Sequence, residues 1–88
     1  MKTEMLKALL EGKVIEVVNV VPHCHLKHIL YVMKDGELYS KRSFFGDFYG
    51  GVTNYGDIWI KCDEITFGHG GYFKVLEDYN NPNDKFIN

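Results

Sequence analysis

Apolar and polar positions along the chain follow two rhythms. Met5, Leu6, Leu9 and Leu10 recur at one-face helical spacing, behind a capping Thr3 and a Glu4 placed in the first turn. Gly12 is a natural terminator, so a short N-terminal helix is predicted. The next run, KVIEVVNVV from Lys13 to Val21, is β-branched nearly throughout and reads as a strand that Pro22 ends.

The segment ILYVMK-DG-ELYSKR carries the clearest signal. Asp35-Gly36 is a type I′ turn pair between two apolar-rich runs, which predicts a β-hairpin. A two-residue loop sets Lys34 opposite Glu37, Met33 opposite Leu38, Val32 opposite Tyr39 and Tyr31 opposite Ser40. The facing Lys and Glu favour that register.

After Phe45 the texture changes. Residues 46–57, GDFYGGVTNYGD, hold four glycines and three aromatics, too many breakers for a helix or a long strand. Alternation returns in IWIKC, where Ile58, Ile60 and Cys62 share one face and Trp59 and Lys61 the other. The isoleucine face is expected inward, with Cys62 protected by it. EITFGHGG then turns into a further strand, YFKVLE. The tail, residues 80–88, has no periodicity and is expected to fray, with Phe86 and Ile87 as the groups able to dock. The prediction is one α+β domain over residues 1–79, a short N-terminal helix packed on a mostly antiparallel sheet of about five strands.

Composition narrows the function. A chain of 88 residues with 45% apolar and 15% aromatic content can pack a small core. Its net charge of −2 argues against direct binding of nucleic acid. Residues 1–45 hold seven Lys/Arg against five acids, whereas residues 46–88 hold three Lys against seven acids. That acidic second half suits a partner with a basic surface. No apolar run is long enough to span a bilayer, and no leader pattern opens the chain, so a cytoplasmic protein with free Cys24 and Cys62 is expected.

Three of the four histidines lie in HCHLKH, residues 23–28. In an extended chain His23 and His25 point to one side, and with His69 and either cysteine they form an alternative metal-ligand set. None of the standard zinc spacings accompanies them, so the expectation is no cofactor and no metal. Catalysis has weaker support. Cys24 and His25 diverge in a strand, as do the carboxylates of Asp63-Glu64 and Glu77-Asp78, and GHGG lacks the lysine and helix of a phosphate loop.

The stretch FFGDFYGGVTNYGDIW gathers Phe44, Phe45, Phe48, Tyr49, Tyr55 and Trp59. Rigid aromatics among glycines suit a recognition loop. Phe44, Phe45 and Trp59 are expected to complete the core, leaving Phe48, Tyr49 and Tyr55 exposed. Lys41 and Arg42 just before the loop could meet a carboxylate or phosphate.

ALLEGKVI, residues 8–15, resembles the A-L-x-x-G-K-x-V opening of several small bacterial and phage domains, including a phage family that sequesters nucleotide signals of host defence. VVNVV stands where that family carries aromatics. The small, aromatic-rich, acidic chain also resembles compact phage-encoded inhibitors such as anti-CRISPR proteins. Together these features predict a non-enzymatic binding protein, of inhibitor type, that blocks a surface of a larger nucleic-acid-processing host protein. Asp47, Phe48, Tyr49, Tyr55, Asp57, Asp63 and Glu64 are the expected contact residues. The alternatives are a binder of a nucleotide-like ligand, stacking on Tyr49 or Tyr55 with Arg42 on an anion, and a metal-binding domain or metal-dependent enzyme built on His23 and His25. A homodimer through the YFKVLE edge is open, and no membrane association is expected.

Overall fold

In the computed structural model, which describes residues 3–21, 25–42, 56–68 and 70–87, the chain begins with helix α1, Thr3–Leu10. Gly12 ends it at a φ of 80°: Gly12 N donates to Leu9 O and Lys13 N to Ala8 O, closing the last turn. The buried helix face is Met5, Ala8 and Leu9; Leu6 and Leu10 point outward, so small Ala8 takes a place the apolar spacing had assigned to leucine.

Six strands follow: β1 Val14–Val21, β2 His25–Lys34, β3 Glu37–Arg42, β4 Ile58–Lys61, β5 Tyr72–Leu76 and β6 Lys85–Ile87. They form one sheet in the order β5-β1-β2-β3-β4-β6. Every pairing is antiparallel except β4 with β6, which is parallel. The fold is therefore α+β, a short N-terminal helix on a mostly antiparallel sheet, with one strand more than the pattern suggested. The β2–β3 hairpin has the expected register, Lys34 opposite Glu37 through Tyr31 opposite Ser40. Asp35 at φ 53° and Gly36 at φ 79° supply the two left-handed turn positions.

The extra strand comes from the tail. Far from fraying, Lys85–Ile87 pairs with β4, because Asp84 and Phe86 are held by side chains of the sheet. Strands β5 and β6 occupy opposite edges, so residues 77–84 must carry the chain across the whole sheet. They cross the face opposite α1, where Tyr79 packs with Leu30, Val32, Tyr39 and Trp59. The C-terminal segment is a strap.

The sheet thus has two covered faces. Helix α1 lies on Ile15, Val17, Ile29 and Tyr31, with Phe73, Val75 and Cys62 at the margin. The strap lies on Leu30, Val32, Tyr39 and Trp59, with Val14 and Leu76 beside them. Near the end of β1, Asn19 holds the chain after β4 in place: its Oδ1 accepts from Gly68 N and its Nδ2 donates to the Thr66 carbonyl.

Candidate functional site

Strand β4 corrects the expected facing. Trp59 is completely buried, whereas Ile58 and Ile60 are 49% and 58% exposed. Trp59 faces the strap, and the isoleucines face the helix side at a place where the contacts of α1 go to β1, β2 and β5 instead. Of IWIKC, only Cys62, at the far end of that face, packs against the helix-side core, and it is half-buried. Alternation located the two faces of IWIKC correctly but could not say which one the fold would cover.

The uncovered isoleucines form a surface. Ile60 pairs with Ser40 on one side and Ile87 on the other, and Ile58 pairs with Lys85. Ile87 is 50% exposed, so three half-exposed isoleucines lie together at the β4–β6 edge. Asp57 stands before β4, and Asp63 and Glu64 follow it, all exposed. Asp57 Oδ1 accepts a hydrogen bond from Asn81 Nδ2 at 2.9 Å, and its carbonyl accepts from Lys85 N at 2.8 Å, which ties the strap to this end of the surface. The result is an apolar centre with carboxylates at both ends.

Beneath the strap the chemistry is different. Lys41, only 1% exposed, donates to Asp84 Oδ1 and to the Tyr79 hydroxyl. Trp59 Nε1 donates to Asp84 Oδ2 at 2.8 Å and the Tyr79 hydroxyl donates to the same oxygen at 2.9 Å. Burial works to raise the Asp84 carboxyl, but the bonds from Lys41, Trp59 and Tyr79 and the Lys41 charge outweigh it and hold Asp84 below its ordinary 3.8. Burial likewise raises the Tyr79 hydroxyl, and the bond to Asp84 adds to the rise against the pull of Lys41. Lys41 thus meets a carboxylate within its own chain. Farther along the same face, the carboxylate of Glu16 lies 3.2 Å from His28 Nδ1 and 3.1 Å from Lys74 Nζ.

Of the other expected site residues, Asp47, Phe48, Tyr49 and Tyr55 lie outside the described residues, as do Phe44, Phe45, His23, Cys24 and His69. Arg42 lies in β3 opposite Ile29, and His25 in β2 opposite Val21. Among the described residues no cluster of three His, Cys, Asp or Glu side chains is gathered for a metal ion, and no helix is long and apolar enough to cross a membrane. Comparison with protein-family models, with curated proteins and with solved structures finds no match. The pattern singled out Phe86 and Ile87 as able to dock but missed Tyr79 and Asp84, because a tail of Asn, Pro and Asp has no periodicity. The one available signal was the alternation Asp84, Phe86 against Lys85, Ile87.

Proposed function

We propose that the chain is a binding protein, not an enzyme, and that it works in the manner of an inhibitor by occupying a basic surface of a larger nucleic-acid-processing partner. The observation that carries this reading is the isoleucine surface of β4 and β6. Apolar groups on a sheet face left bare by the helix remain in water at a cost that a partner would relieve, and a patch rimmed by charge is the usual form of a protein-binding site. The carboxylates of Asp57, Asp63 and Glu64 favour Lys or Arg on the partner and steer its approach. They also disfavour a second copy here. A twofold axis through Ile60 reverses the strand, so Asp57 of one copy would face Asp63 and Glu64 of the other. The proposed setting is the cytoplasm, where Cys62 stays a thiol.

The test is capture of partners from the native host by wild-type protein and by Ile60→Asp and Asp63→Lys/Glu64→Lys variants, each with a melting curve. The reading expects a basic partner retained by the wild type, lost by Ile60→Asp, and bound more slowly by the charge-reversed variant, most markedly at low salt. Undiminished capture by a folded Ile60→Asp protein would move the interface elsewhere.

A further inference from the structure

Besides the short β4–β6 ladder, the strap is held by side chains that enter a groove of β2, β3 and β4. Phe86 stacks on Trp59 with ring centroids 5.8 Å apart and planes at 5°, and meets Tyr39 edge-on at 4.9 Å. Lys34 Nζ sits 4.0 Å from the centre of the Phe86 ring. Two residues earlier, Asp84 accepts from Lys41, Trp59 and Tyr79. The groove therefore recognises a carboxylate followed, two residues on, by an aromatic ring. It is incomplete when empty, because Lys41 would then keep the Tyr79 hydroxyl and the rings of Trp59 and Tyr79, at 4.7 Å and 5.1 Å, but no carboxylate to balance its charge.

The strand backbone adds little, since β6 pairs over only three residues. Tyr79 is anchored independently near β5 by its N–H to the Leu76 carbonyl. Between these two anchors lie only residues 80–83, Asn-Asn-Pro-Asn. Their turn is closed by Asp84 N to Asn81 O at 3.2 Å and by Asn83 N to Asn81 Oδ1 at 3.0 Å. Pro82 biases Asn81 toward extended backbone, the conformation in which such a hinge opens.

We propose that the groove also accepts this segment from a second copy, giving a strand-exchanged dimer in which Asp84 and Phe86 of each chain enter the groove of the other. Every groove contact is the same in the two arrangements. They differ in the hinge turn and in the entropy of association, so exchange is favoured by concentration and by transient opening of the strap. Exchange leaves the isoleucine surface alike in composition, with Ile87 supplied by the second copy, and the groove contacts are argued without reference to the proposed function.

Two full-length variants test the exchange. Phe86→Ala keeps the groove and weakens the strap; Lys41→Met with Trp59→Phe keeps the strap and disables the groove. Trp59 is the chain's single tryptophan, so fluorescence of the mixture reports only the intact groove. Co-refolding the two should shift Trp59 emission to the blue and yield a 1:1 species of twice the chain mass by native mass spectrometry. Adding Asp84→Asn to the strap donor should weaken pairing about tenfold or more, through loss of a charged hydrogen-bond acceptor. A synthetic peptide of residues 77–88 is a second strap source that needs no folded donor, and Phe86→Leu replaces Phe86→Ala if the latter lacks a cooperative melt. Unchanged emission with both strap sources, and chains that stay monomeric together, would overturn the proposal.

Discussion

The two faces of the sheet are covered by opposite means. On the helix side, Ile15, Val17, Ile29 and Tyr31 meet Met5, Ala8 and Leu9, and that cluster of buried side chains carries no charge. On the strap side the same strands bury Glu16, His28 and Lys41. Apolar packing is non-directional and tolerates small shifts of the helix. A buried lysine tolerates no such shift, because its compensation depends on one carboxylate in one place. Buried ion pairs in general contribute little net stability beyond an apolar replacement, so the expected role of this one is to fix where a short terminal strand docks. The difference teaches that a chain this small can use hydrophobic burial for stability on one face and a buried ion pair for position on the other.

The sharpest way to break that contrast is Lys41→Ala. It leaves Asp84 without its cation and removes the floor of the groove, and should cost about 3–5 kcal/mol in urea unfolding, with a red shift of Trp59 emission. Lys41→Met combined with Asp84→Leu should recover part of the loss. A double variant no more stable than Lys41→Ala would show that the pair contributes stability beyond position. On the helix side, Val17→Ala deletes two fully buried methyls and should cost about 2 kcal/mol, with the Trp59 emission of the folded protein unmoved. Comparable red shifts from both substitutions would mean that the faces are not separable.

Gly36→Val probes the hairpin that joins both faces. A β-branched residue at φ 79° is strained, although open space surrounds the position, and the expected loss is on the order of 1–2 kcal/mol. Acid is expected to loosen the strap face first. Because Asp84 is held below 3.8, its contribution is complete above that ordinary value and is lost as pH falls through the lower folded value. Below about pH 4, Trp59 emission should therefore begin to change before far-UV circular dichroism does; coincident transitions would rule out a separately loosening strap. The smallest effect is expected for Ile60→Thr, within about 0.5 kcal/mol either way, since its side chain is covered by neither layer.

Local rules carried a large part of the fold. Gly12 closed the helix, and Asp35-Gly36 set the hairpin and its register down to the Lys34–Glu37 pair. These features depend on residues near one another in the chain, where backbone preference and side-chain period decide the outcome. The candidate surface was only partly legible. The exposed acids Asp57, Asp63 and Glu64 could be read as solvated groups, but the isoleucines beside them were expected inside. Alternation in IWIKC presents Ile58-Ile60 and Trp59-Lys61 as rival faces, and nothing local breaks the tie.

What broke it was the assembly. The contacts of α1 go to β1, β2 and β5 and leave β4 bare on its isoleucine side, while the strap arrives on the other side with Phe86 to stack on Trp59. Lys41 shows the same division. Its sequence context, beside Arg42 and a glycine-rich loop, offers it as a contact for an outside anion, whereas the crossing of residues 77–84 delivers Asp84 to it from 43 residues away. The sequence by itself determined the helix stop, the hairpin and the alternation of each strand, because those are short-range properties of the backbone. Which face of β4 is buried, that the tail is a strand, and that Lys41 is neutralised internally were decided only when distant segments met, because burial is a property of what covers a residue rather than of the residue itself.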